Sequence, residues 1–144
     1  MTKSKYKISE EVAESDYRRI VELFDVDISA EEKAVVIDAI MRGLVTLDED
    51  EETLTYTLVK PVIAGDQSLT SVTMRELTAS ELETINKGFT GVQKANGDTT
   101  IDVSAAFTRT IKLIVKMSGC ALVLADRIKK RDFVVLQALS SFFA

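Results

Sequence analysis

The chain has 144 residues, 46% of them apolar and 28% charged, with a net charge of −5; this fits one ordinary globular domain with a modest core and excludes two full ones. The negative charge argues against a protein whose main task is gripping phosphate backbones. A single cysteine cannot form an internal disulfide, and no apolar run reaches the ~18–20 residues of a membrane span. The basic start, Met1 to Lys7, lacks the apolar stretch of a secretory signal, so a cytoplasmic protein is the default expectation.

Ser9 to Phe24 reads as a first helix, with Val12, Ile20, Leu23 and Phe24 forming an imperfect apolar stripe. Asp25-Val-Asp27 breaks it. Ser29-Ala-Glu-Glu32 has the form of a capping box, and the helix it opens places Val36, Ile37, Ile40, Met41 and Leu44 on one face, with Gly43 suited to end it. Leu44 to Leu47 predicts a short strand and Asp48 to Glu52 an acidic turn. From Thr53 the alternation is clean: Leu54, Tyr56 and Leu58 point one way and Thr53, Thr55 and Thr57 the other. Pro61 cannot donate a ladder hydrogen bond, which predicts that the strand ends there or lies at an edge. Ala64 to Gln67 supplies a turn, and Leu69 to Arg75 a returning strand with Val72 and Met74 on the buried side.

Thr78-Ala-Ser-Glu81 is a second capping box, opening a helix to about Lys87. Gly88, Gly91 and Lys94 to Asp98 predict a flexible connection. A helix over Ser104 to Ser118 should bury Phe107, Ile111, Ile114 and Val115 before Gly119 stops it, and a last helix runs from Lys130 to Phe143. The fold expected is α+β: N-terminal helices, a small antiparallel meander, then a C-terminal three-helix segment. Residues 1–48 are expected to form a helical element separable from a core of 49–144.

Little in this composition points to catalysis. There is no histidine, which removes Ser–His and Cys–His pairs, histidine bases and the usual zinc constellations. Cys120 reads as a buried small apolar residue. The run Asp48 to Glu52 lacks the glycine of a calcium loop, and Gly88, Gly91 and Gly97 lack the spacing of a phosphate cradle. No catalytic, cofactor-binding or metal-binding residue is predicted, nor any nucleic-acid or membrane partner. The last helix stands out. Phe133, Val134, Val135, Leu136, Ala138, Leu139, Phe142 and Phe143 surround nearly its whole axis. Such a helix either lies in the middle of the domain or packs one face at home and offers the other to a second chain. On the second reading Phe133, Leu136, Phe142 and Phe143 are candidate partner-binding residues, joined by the basic cluster Lys129, Lys130 and Arg131.

Leu58-Val-Lys-Pro61, then Thr73-Met-Arg-Glu-Leu-Thr78, then Glu81-Leu82, Ser118-Gly119, Asp132 and Phe142 occur in an order and spacing that resembles the phage tail assembly chaperones of Mu-like and P2-like phages. The similarity spans roughly residues 53–144, departing at Leu77, where the family usually has proline. The resemblance implies a non-enzymatic assembly factor of the host cytoplasm, absent from the mature virion. It would act as a homo-oligomer that coats the tape measure protein and helps recruit tail tube protein. Many members also have a longer, frameshifted form, and a chain finishing just after its last helix would suit the shorter one. The alternative is a structural head–tail connector or tail completion protein retained in the particle.

Overall fold

A computed structural model describes residues 5–87, 92–93, 99–100 and 103–143. The architecture is α+β, as expected: two helices, a three-stranded antiparallel sheet in the order β1-β2-β3, then helices. Helix α1 (Glu10–Phe24) begins where Ser9 Oγ accepts the Val12 amide at 3.2 Å. Its buried stripe is Ala13, Tyr17 and Ile20. Val12, expected on that stripe, is 50% exposed, because the face that meets the rest of the protein is centred on Tyr17, and Val12 lies outside its four-residue spacing.

Helix α2 (Ala30–Met41) is capped by Ser29 Oγ, which accepts the Glu32 amide at 3.2 Å. The capping box is not reciprocal. The Glu32 carboxylate instead accepts hydroxyls from Ser29 and from Ser141, at the opposite end of the sequence. Gly43 follows in the left-handed region at φ 75°, where glycine is favoured. Strand β1 (Val45–Asp48) leads into the acidic turn, where Asp48 Oδ1 accepts the amides of Asp50 and Glu51 at 3.1 Å each.

Strand β2 (Thr53–Ala64) runs through Pro61 and does not end at it. It pairs with β3 (Gln67–Arg75) from Thr53↔Arg75 to Thr57↔Ser71 and again from Val62↔Leu69 to Ala64↔Gln67. Between these stretches the register shifts, so Leu58 to Pro61 bulge out against Thr70. Proline is tolerated there because a bulge needs no amide from it. The inner face carries Leu54, Tyr56, Leu58, Val62, Val72 and Met74. On the outer face Thr55 and Thr73 share a hydroxyl hydrogen bond of 3.0 Å.

Helix α3 (Ala79–Asn86) is followed by a two-residue ladder, β4 (Val92–Gln93) with β5 (Thr99–Thr100), where a flexible connection was expected. Residues 88–91 and 94–98, with their glycines, lie outside the described residues. Helix α4 (Val103–Ser118) buries Thr110, Leu113, Ile114 and Met117. Of the four residues expected on that face only Ile114 is fully buried; Ile111 and Val115 are half-buried and Phe107 is exposed, so the buried stripe is rotated toward Leu113. A one-turn helix α5 (Leu122–Ala125) was not anticipated. Cys120 before it is half-buried, not enclosed. Helix α6 (Lys130–Ser140) and a closing turn through Phe143 complete the fold.

Helix α6 is the centre of the packing, in contact with α2, α4 and β2. Phe142 and Phe143 close against α1: Phe143 stands edge-on to Phe24 with ring centroids 4.7 Å apart, and Phe142 lies 6.2 Å from Tyr17. One buried apolar cluster therefore includes Ala13, Tyr17, Val36 and Ile40 from the N-terminal helices with Leu54, Leu113, Leu136 and Leu139. That cluster draws residues from both sides of residue 48, the boundary of the expected separable element. Burying a large apolar side chain stabilises by about 1.5–3 kcal/mol, and removing residues 1–50 uncovers several at once. The truncated chain 51–144 is expected to lose its cooperative thermal transition, which differential scanning calorimetry would detect; a sharp transition in the fragment would show that the helices only decorate a self-sufficient core.

Candidate partner-binding surface

Two polar clamps fix the surfaces a partner could meet. The first is built on Asp132, in the first turn of α6 and fully buried at 0% exposure. Its Oδ1 accepts the Tyr56 hydroxyl at 2.7 Å and the Val59 amide at 2.9 Å, and its Oδ2 accepts the Lys60 amide at 3.0 Å. Val59 and Lys60 lie in the bulge before Pro61, where their amides have left the ladder with β3. The carboxylate thus supplies acceptors the bulge removed, and three donors compensate its own burial. Burial and this hydrogen bond push the Tyr56 phenol well above its ordinary range.

The second clamp joins β3 to α3. Thr78 Oγ1 accepts the Glu81 amide at 3.1 Å and Glu81 Oε1 accepts the Thr78 amide at 3.0 Å, a complete capping box. Arg75, the last residue of β3, donates to both Glu81 oxygens at 3.0 and 2.8 Å. The hydrogen bond from Arg75, then that from the Thr78 amide, hold Glu81 down at about 2. Leu77, where the family pattern prefers proline, is buried.

The residues expected to meet a partner divide sharply. Leu136, Phe142 and Phe143 are core, the two phenylalanines only 3% and 5% exposed, because α1 and α2 cover the face of α6 that was expected to stay free. Lys129, Lys130 and Arg131 are exposed at the start of α6. Phe133 is half-buried and stands edge-on to Phe107 with centroids 5.5 Å apart. Phe107 is 46% and Val134 41% exposed. Between α2, α4 and α6 runs an open groove of about 580 Å³, lined among others by Val35, Ala106, Arg109, Val134, Gln137 and Ser141. The strip of α6 left uncovered by the core lies along it. Helical spacing alone predicts Phe107 in the core, because it does not distinguish a core face from its flank; the structure leaves the ring exposed.

Among the described residues no three histidine, cysteine, aspartate or glutamate side chains converge as a metal site would require, and no helix is long and apolar enough to cross a membrane. The surface offers an open groove of mixed polar and apolar lining and a charged helix start. Residues 55–144 match the family described as phage tail assembly chaperone proteins, E, or 41 or 14, and the chain belongs to that family. No curated protein and no solved structure matches it. Both clamps lie wholly within the matched segment, and α1, α2 and β1 precede it and pack against it.

Two outcomes follow from the clamps. Asp132→Ala is expected to destabilise the protein by about 3 kcal/mol or more, since it leaves two amides and a hydroxyl without their partner, with Tyr56→Phe costing about 1 kcal/mol; urea unfolding would measure both. Glu81 is held below its ordinary value of 4.5, so its contribution is fully present above that value and is lost as pH falls toward 2. The melting-temperature gap between the wild type and Glu81→Gln should accordingly narrow through that window, and a gap independent of pH would show that the carboxylate's charge is irrelevant.

Proposed function

We propose that the protein coats the phage tape measure protein before tail assembly, binding its helical apolar segments in many copies and presenting the complex to tail tube protein. Family membership is the observation that carries this reading. The groove between α2, α4 and α6 supports it, because an amphipathic helix laid in such a groove buries its apolar face. Val35, Ala106 and Val134 supply apolar contact in the groove, Phe107 and Phe133 pair edge-on outside its lining, and Arg109 gives a polar anchor. The role is non-enzymatic and belongs to the host cytoplasm, with the protein released before the virion matures. The net charge of −5 keeps a coated, otherwise sticky client in solution.

Co-expression with the tape measure protein tests this. Wild-type protein is expected to carry the client into the soluble fraction, and Phe107→Ser with Val134→Ser to release it to the pellet. Both side chains are at least two-fifths exposed, so the melting temperature should move by only a few degrees, while anchors of this kind contribute about 2 kcal/mol or more to binding. A client that stays insoluble with wild-type protein would overturn the chaperone reading. A client held equally well by the double variant would place the contact elsewhere.

A further inference from the structure

Charge is strongly divided along β2. All five residues of Asp48 to Glu52 are acidic and exposed at the turn that precedes the strand. Only one of them is ion-paired with a described residue, Glu49 with Arg19. At the far end, four of the six residues from Asp126 to Arg131 are basic, and all four are exposed, with Lys60 on the adjoining bulge. None of Lys60, Arg127, Lys129, Lys130 and Arg131 forms an ion pair with a described residue. The Asp132 clamp fixes this basic end against the bulge at Val59 and Lys60, so it cannot swing toward the acidic turn. Partly positive amides at the start of α6 add to the same field. Beside it, a depression of about 350 Å³ between α2, β2 and α6 is lined by Arg131 and by Arg42, the latter ion-paired with Asp38 at 3.0 Å.

The strand from Thr53 to Lys60 spans about 20 Å at ~3.3 Å per residue. That is more than twice the Debye length of ~8 Å at physiological salt, so the two ends scarcely feel one another within a molecule. A protein of net charge −5 repels its own copies in most orientations, while head-to-tail approach sets a five-carboxylate turn against unpaired cations. We infer that the acidic turn Asp48–Glu52 of one copy docks on the basic start of α6, around Lys129, Lys130 and Arg131, of a second copy. Because the two patches differ, the contact is heterologous, and repetition gives an open row or a ring. It deepens the many-copies part of the reading above and needs no client, so each can fail without the other.

Sedimentation velocity on purified full-length protein tests it, using Asp50→Lys/Glu51→Lys and Lys129→Glu/Lys130→Glu. Only the main-chain amides of Asp50 and Glu51 are engaged within the turn, and acidic residues at a helix start are favourable, so both variants should melt like wild type. Wild-type protein should sediment as concentration-dependent oligomers at about 0.05 M salt and as a monomer at about 0.5 M, where charges are screened within a few Å. Each variant alone, with one of its two patches brought close to neutral, should remain monomeric. An equimolar mixture should form a salt-sensitive dimer, since the intact acidic turn of the Lys129→Glu/Lys130→Glu variant meets the intact basic helix start of the other variant. A wild-type protein monomeric at every salt, variants that assemble as wild type does, or a mixture that stays monomeric would each overturn the inference.

Discussion

The fold is organised around one buried carboxylate. Desolvating an ionised group costs several kcal/mol, and Asp132 offsets that with three donors brought together from two separate features of β2: the Tyr56 hydroxyl and the two amides of the bulge. The dependence is mutual. Without the bulge, Val59 and Lys60 would have no free amides to give; without Asp132, those amides would be left unsatisfied where the chain turns past Pro61. An apolar residue at 132 would remove the desolvation cost but would not satisfy the bulge. The clamp therefore selects a geometry as well as contributing stability. It fixes where α6 begins relative to the sheet, and with it the position of the groove and of the basic cluster.

The N-terminal helices acquire a reason from the same arrangement. The family-matched segment begins at residue 55, yet the side of α6 facing away from the sheet presents Leu139, Phe142 and Phe143, which need cover. Helix α2 supplies Val36, Ala39 and Ile40, and α1 supplies Tyr17 and Phe24. The hydrogen bond from Ser141 to Glu32 ties the two ends of the chain together over this seam. A terminal helix that is apolar on nearly every side is thus resolved mostly in favour of burial. What remains uncovered is the strip at Arg131, Val134 and Gln137, with Phe133 at its edge.

Local signals in the sequence are legible where a short stretch determines its own structure. The caps at Ser29 and Thr78, the left-handed Gly43 and the alternation from Leu54 to Leu58 each depend on a few neighbouring residues, and each is present. Errors arose where distant contacts decide. Helical spacing places Phe107 as easily on a core face as beside it, and only the packing of α4 on β3 turns Leu113 inward and leaves Phe107 out. Pro61 correctly announced the loss of a ladder bond, but one residue cannot reveal whether a strand stops or bulges. The partner that lets it bulge, Asp132, is more than seventy residues away. The same distance hid the site: Phe142 and Phe143 look available only if α1 and α2 are imagined elsewhere.

The placement of α6 would also keep the two proposed contacts apart on one helix. Its basic first turn and the preceding residues lie at the β2 bulge, whereas Val134, Gln137 and Ser141 line the groove farther along. Apolar contact in the groove is short-ranged and insensitive to salt, while the charge-based contact is oriented and weakens as salt rises. Two such contacts would not compete for the same side chains. A row of copies set by charge and a long client held by apolar anchors could then form together, each raising the effective concentration of the other. Modest individual affinities would suffice for tight coating, and they would also let each copy leave singly once a neighbour or the client contact was withdrawn.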